Sequence, residues 1–322
     1  MLEFIFDESR ILFPLELLFN DESRQQPKRR VLLNGWRLLP KDFNSLARIC
    51  SHLIELHIDH CSFNSESLEG IRGLTQLAVF SMRSTIPITS PTAQVFGSWT
   101  GLVNLDISEN RVDLSSISVI AMTCKRLRVL CLEACEGLDD VCLSRLGDMV
   151  QRFHVLKEIS LQRCPDIRDE GVLALLQTAI NGCTHISLGC TNCSTLGIVS
   201  LRRKTSTLRS LDVRQLQLTP SAFEWIAEGC SQLTYLNCSG CRALDDHSLF
   251  TIAKRCRQIQ SIDVSSCDRL TDEGISRALL EGTPYLRYYR IPYLIRYSSA
   301  VDTQTSVTSS PFRVRLPERL PY

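Results

Sequence analysis

The sequence predicts an α/β solenoid, with short parallel strands lining a concave face and helices along the convex side. Three observations predict it. Apolar residues at relative positions 0, +3 and +5 recur along most of the chain. In five copies the pattern closes on cysteine at +8, as in Leu127-Leu130-Leu132-Cys135, Leu156-Ile159-Leu161-Cys164, Leu233-Leu236-Cys238-Cys241 and Ile259-Ile262-Val264-Cys267. Turn signals follow, and then apolar residues at helical spacing.

L-x-x-L-x-L-x-x-C is a leucine-rich-repeat signature. Position 0 falls at Leu53, Leu74, Leu102, Leu127, Leu156, Cys183, Leu208, Leu233, Ile259 and Leu286. A further unit starts at Lys28, with Val31, Leu33 and Trp36 in phase, giving about eleven units over residues 28–297. All spacings fall within the range of this repeat class.

Each unit is expected to run strand, turn, helix. Alternation places +3 and +5 inside and +2, +4 and +6 outside. Helices should start at Asp139-Asp140, Asp245-Asp246 and Thr271-Asp272, where short oxygen side chains cap free amides. Thr219-Pro220 adds a cap followed by proline at the first helical position. One unit cannot bury its apolar face alone, so neighbours stack at ~4.8 Å and eleven strands line an arc of roughly 50 Å. The open ends need covers. Residues 1–27 supply the first, with Phe4, Phe6, Leu12, Phe13 and Leu17 available. Residues 298–322 are Ser/Thr-rich and read as a disordered tail.

Composition narrows the function. Lys plus Arg is 36 and Asp plus Glu is 35, which argues against general attraction to nucleic acid. No apolar run is long enough to span a membrane, and the acidic N-terminus does not resemble a secretory signal. Fifteen cysteines, an odd number placed mostly by the repeat, read as reduced thiols in the cytoplasm or nucleus. Cys61, Cys135, Cys164, Cys241 and Cys267 close the repeats and are expected to meet nearby backbone, like Asn110 in a sister unit. Cys50, Cys124, Cys230 and Cys256 lie at helix-to-strand junctions.

Catalytic and metal readings are weaker. Cys190-Thr191-Asn192-Cys193 lacks a second ligand pair at zinc spacing. His57, Asp59 and His60 read as polar residues of an exposed strand. No phosphate-binding loop is present, and the clusters Lys28-Arg29-Arg30 and Arg202-Arg203-Lys204 read as solvated loops. The expectation is a binding protein with no catalytic site, cofactor or metal.

The outward phase nominates the surface that binds. Asp106, Glu133 and Glu158, with Glu109 beside them, form an acidic patch suited to a partner's basic segment. Arg214, Tyr235 and Asp263 continue the face, and Tyr288 and Arg290 group aromatic and guanidinium anchors with Tyr293.

Cys135-Glu136-Gly137-Leu138-Asp139-Asp140, Cys241-Arg242-Ala243-Leu244-Asp245-Asp246 and Cys267-Asp268-Arg269-Leu270-Thr271-Asp272-Glu273-Gly274-Ile275 resemble the cysteine-containing subclass of leucine-rich repeats. That subclass is typical of F-box/LRR proteins, the substrate receptors of cullin-type (SCF) ubiquitin ligases, and of relatives without an F-box. The resemblance covers roughly residues 28–294 and implies partner recruitment on the concave face. Phe13-Pro14-Leu15-Glu16-Leu17-Leu18 is similar to the opening of an F-box, but the first repeat leaves no room for its remainder. Residues 1–27 are therefore an end cover or a degenerate F-box-like remnant that contacts a Skp-type adaptor. The alternative function is a scaffold or regulator with no ligase role.

Overall fold

A computed structural model describes residues 2–4, 29–153, 156–179, 182–202 and 207–291, with backbone alone for 2–4, 149–153 and 179. Side chains of the N-terminal cover, the F-box-like stretch 13–18, Tyr293 and the tail 298–322 lie outside the described residues.

Twelve parallel strands form one sheet in strictly sequential order. They are β1 (Leu2–Phe4), β2 (Arg30–Asn34), β3 (Glu55–Asp59), β4 (Val79–Ser81), β5 (Asn104–Asp106) and β6 (Val129–Cys131). Then come β7 (Glu158–Ser160), β8 (His185–Ser187), β9 (Ser210–Asp212), β10 (Tyr235–Asn237), β11 (Ser261–Asp263) and β12 (Tyr288–Arg290). The helices on the other face are α1 (Pro40–Ile49), α2 (Ser90–Ser98), α3 (Leu114–Thr123) and α4 (Asp140–Phe153), followed by α5 (Asp169–Ala179), α6 (Pro220–Gly229), α7 (Asp246–Arg255) and α8 (Asp272–Gly282). Two units carry 3₁₀ turns instead, Ser65–Ile71 and Val199–Arg202. The N-terminal stretch also contributes a strand, because β1 pairs with β2 at Leu2–Val31 and Phe4–Leu33.

One unit starts three residues later than its spacing suggests. Glu55 pairs with Val79, and Val79 with Asn104. The unit after Leu53 therefore starts at Leu77, which puts Phe80 and Met82 inside. Leu74 is buried too, but in the preceding turn. The uneven steps through Leu74 become nearly equal steps through Leu77. Phe80 then meets Phe96 and Trp99 at ring-centre separations of 5.6 and 4.7 Å.

The +3 and +5 side chains merge into one continuous apolar core with the inner faces of the helices. The closing cysteines join the backbone of the preceding unit. Cys61 Sγ donates to Leu33 O at 3.7 Å, Cys135 to Ile107 O at 3.4 Å and Cys164 to Leu132 O at 3.1 Å. Cys241 donates to Val213 O and Cys267 to Cys238 O, both at 3.2 Å. Asn110 Nδ2 makes the same reach to Met82 O at 2.6 Å. In every case the acceptor is the +5 carbonyl one unit back, so each thiol is an inter-unit rung. The junction cysteines Cys50, Cys124, Cys230 and Cys256 are buried C-caps of α1, α3, α6 and α7.

Most helix starts follow the expected chemistry. Asp245 accepts from Ser248 N, Thr271 from Gly274 N and Asp139 from Cys142 N. Thr219 caps α6 by position alone, because its hydroxyl meets Thr195 and Ser221 instead of a helix amide. A second inter-unit device sits here. The first residue of α4, Asp140, accepts from Arg168 N of the next unit, and Asp246 of α7 accepts from Thr271 N and its hydroxyl. Asp169 of α5 takes Ser194 N, Ser194 Oγ and Gly197 N. Each aspartate faces a glycine of the next unit, respectively Gly171, Gly274 and Gly197, where any Cβ would overlap it. Cys142 stands where Gly171 does one unit later, and the preceding helix starts with Leu114 in place of aspartate.

Candidate protein-binding surface

Ten units turn out of the strand through a residue with positive φ at +7. Only Gly35 and Gly240 are glycines there; the others are His60, Ser84, Glu109, Ala134, Arg163, Cys190, Gln215 and Ser266. The turn swings the +8 side chain inward and points the +7 amide at the next unit, as in Ala134 N to Gln162 O at 2.7 Å. It also lifts Glu109 and Arg163 onto the rim of the concave face.

The acidic patch assembles across adjacent strands. Asp106 pairs with Cys131, and Cys131 with Ser160. Glu133 accepts from Ser160 Oγ at 2.8 Å, and Glu158 lies 3.3 Å from His185 Nδ1. Arg83 reaches Glu109 at 2.9 Å and Asp106 at 3.9 Å, while Arg163 stands 3.7 Å from Glu109. Four carboxylates thus meet two guanidiniums. Arg83 escapes a reading phased on Leu74, although the uneven steps around that residue were a signal. Burial pushes the Cys131 thiol well up, with Asp106 and Glu133 adding to it, so this sulfur stays protonated.

The concave aspartates serve the backbone as well. Asp106 Oδ1 accepts from Ser108 N, Asp212 Oδ1 from Arg214 N and Asp263 Oδ1 from Ser265 N, each at 3.0 Å. Asn237 does the same for Ser239. Each +4 side chain caps the +6 amide of its own strand. Burial raises the pKa of Asp106 and Asp212 against these hydrogen bonds. Glu133 and Glu158 carry no such duty: Glu133 accepts from Ser160 Oγ, and Glu158 lies beside His185.

Arg214 crosses a whole unit. Its guanidinium donates to Gln162 Oε1 and passes over Gly189, where a Cβ would strike the arginine side chain. Ser187 and Gly189 therefore make a shallow floor in the middle of the face. Further on, Tyr235 and Tyr288 flank Ser261 in register, and Tyr288 is 72% exposed. Asp263 lies 4.0 Å from Arg290. The structure thus puts the nominated residues on one face, in an acidic group (Asp106, Glu133, Glu158) and an aromatic group (Tyr235, Asp263, Tyr288, Arg290), with Arg214 between.

The other candidates separate. Cys190 Sγ donates to Gln215 Oε1 and buried Cys193 Sγ to Ser194 O, so the two sulfurs face different partners. His57 sits 2.9 Å from Glu55 and 3.9 Å from Asp59, while Asp59 accepts from Ser81 Oγ and Arg83 N. Among the described residues no group of three or more His, Cys, Asp or Glu side chains is disposed to hold a metal, and no helix is long and apolar enough to cross a membrane.

Comparison with known proteins agrees with this architecture. A family profile described as Leucine Rich repeat matches residues 154–176 and 255–277. The fold is a leucine-rich-repeat solenoid. Its solved likenesses include an internalin, InlF, from Listeria monocytogenes, with a TM-score of 0.52 and 14% sequence identity over 86% of this chain and 88% of that one. The leucine-rich-repeat array is a protein-interaction module, and its periodic sheet is a platform on which side chains vary without disturbing the core.

Proposed function

We propose that this leucine-rich-repeat chain recruits a protein partner on its concave face, as the substrate-recognition or adaptor component of an SCF-type ubiquitin ligase. The observation that carries the binding role is the run of outward polar and aromatic residues from Arg83 to Arg290, on strands whose inner faces are consumed by the core from β4 to β11. The ligase role rests on the cysteine-rung repeats and on the F-box-like Pro14–Leu18, which would meet a Skp-type adaptor. Fifteen thiols, none in a disulfide, suit a reducing cytoplasm or nucleus. The reading assigns no catalysis, cofactor or nucleic acid to the array.

Affinity capture with the full chain, read by mass spectrometry, tests both parts. The Skp-type adaptor and a cullin should co-purify and be lost in Leu15→Asp/Leu18→Asp. A concave-face partner should be lost in Glu133→Lys/Glu158→Lys while the adaptor stays. A partner set without cullin machinery removes the ligase role and leaves a scaffold. Capture that ignores the charge reversals removes the concave acidic patch.

A further inference from the structure

We propose that the partner presents an extended segment with two anchors: a lysine or arginine on Glu133 and Glu158, and a flat apolar side chain, aromatic or proline, between Tyr235 and Tyr288. This rests on the concave-face reading above and specifies what that face selects. The two ends differ in charge. At the first, Asp106, Glu109, Glu133 and Glu158 outnumber Arg83, Arg163 and the imidazole of His185 beside Glu158, and Glu133 and Glu158 are free of backbone capping. A cation there gains from an uncompensated field. At the second, Asp212 and Asp263 are matched by Arg214 and Arg290, at 3.8 and 4.0 Å. No net charge is left to select an ion, and what stands out is ring surface. Tyr235 and Tyr288 lie two strands apart, with only Ser261 between them. Two strand spacings are ~9.6 Å, and two ring half-thicknesses leave a gap of roughly 6 Å, room for one more ring.

The ground between the anchors is built for a main chain to cross. Ser160, Ser187, Gly189 and Ser210 are all small, and the longer side chains among them are engaged, His185 with Glu158 at 3.3 Å and Arg214 with Gln162 across Gly189. From β7 to β11 is four strand steps, ~19 Å, which an extended chain spans in about six residues. The segment crosses the strands and adds none to the sheet.

A displayed library of random sixteen-residue peptides, selected on the full chain, tests the proposal. Enriched peptides should carry Lys or Arg five to seven residues from an aromatic residue or proline. By fluorescence anisotropy a winning peptide should lose about tenfold or more on Glu133→Lys/Glu158→Lys, on Tyr288→Ala and on shortening the spacer to two residues. Tyr288 is largely exposed, so its loss leaves the core intact. Enrichment of peptides lacking either anchor, indifference to spacer length, or no enrichment at all overturns the two-anchor segment. If Glu133→Lys/Glu158→Lys still abolishes capture of the whole partner, the concave-face reading survives that failure.

Discussion

Cys135 and Cys164 on one flank, and Cys241 and Cys267 on the other, each donate to a carbonyl of the preceding unit. At the centre Thr191 donates to Leu188 of its own unit, and Leu216, at the same position one unit later, has no proton to give. The central helix is also reduced to the turn Val199–Arg202. Beside the strand pairing, the centre keeps Cys183 Sγ on Leu156 O at 3.5 Å and adds Asp169, with three hydrogen bonds from Ser194 and Gly197. The flanks add a +8 thiol rung to their Asp140 and Asp246 links, whereas the centre has no +8 rung and leans on Asp169 at its helical edge. The central floor of Ser187 and Gly189 lies on the weaker-runged stretch, where a concave surface can be shaped without displacing a rung.

Alkaline titration attacks the thiols, most of which lie on the flanks, and this is the largest effect expected. Twelve of the fifteen thiols have pKa values pushed up, mainly by burial, among them Cys135 and Cys241 to about 12 and Cys267 to about 11. The folded state prefers the protonated thiol. Its contribution is complete below the unfolded thiol value near 8.5 and is lost as pH rises toward the folded values. One pH unit above the unfolded value costs about 1.4 kcal/mol per fully coupled thiol, so a dozen cost on the order of 10 kcal/mol, comparable to the whole stability of a domain. Urea midpoints followed by circular dichroism should collapse between pH 8.5 and 10. A flat profile over that range means the thiols are not held protonated.

Acid and Asp169→Ala attack the centre. Burial pushes the Asp169 carboxyl up, but the Ser194 and Gly197 bonds outweigh it and leave the group below the ordinary carboxylate value. Its stabilisation is therefore present above about pH 4 and lost as pH falls through the depressed folded value. Removing an acceptor of three hydrogen bonds should cost about 3 kcal/mol at neutral pH and much less at pH 3. Equal losses at both pH values would reduce Asp169 to a packing residue.

Cys241→Ala should cost about 1–2 kcal/mol, from a sulfur hydrogen bond and a buried side chain. Thr191→Ala should cost about 1 kcal/mol. The two should differ in form more than in size. Losing a rung weakens the interface between units, so the Cys241 transition should broaden or split in urea. Losing the Thr191 bond weakens one unit alone, and that transition should shift without broadening.

The sequence states the fold plainly because its core repeats: +3 and +5 remain apolar in every unit, and Asp245 and Thr271 announce their helices. It misleads at Leu74, since Leu74 and Leu77 are both apolar and both buried; the uneven spacing hints at Leu77, and strand pairing with Glu55 and Asn104 decides it. That shift hid Arg83. The outward residues were legible as a list, but their division of labour only in part. Phase separates Asp106 and Asp263, which sit at +4 and cap +6 amides, from Glu133 at +6 and Glu158 at +2, which do not, but it does not say what the glutamates meet. Their partners, Ser160 and His185 of the following units, appear only in three dimensions. Arg214 reaching Gln162 over an intervening unit is equally invisible to a method that counts along the chain.

The positive-φ turns give the smallest effect and the finest comparison between flanks. Ala134 at φ 50° and Gly240 at φ 69° hold the same +7 place, and both donate to the next unit, to Gln162 O and Ser265 O. A non-glycine residue in this conformation loses roughly 1–2 kcal/mol, whereas glycine gives back about 0.5–1 kcal/mol in unfolded-chain entropy. Ala134→Gly should therefore raise stability by about 0.5 kcal/mol, and Gly240→Ala should lower it by about the same plus the crowding of its Cβ against Gln215. Both changes are measurable as urea midpoints. Because the turn recurs from Gly35 to Ser266 whatever residue occupies it, the conformation is imposed by stacking. If Ala134→Gly destabilises the array, the alanine is instead helping to hold the turn, and the +7 residues join the cysteines as part of what joins one unit to the next.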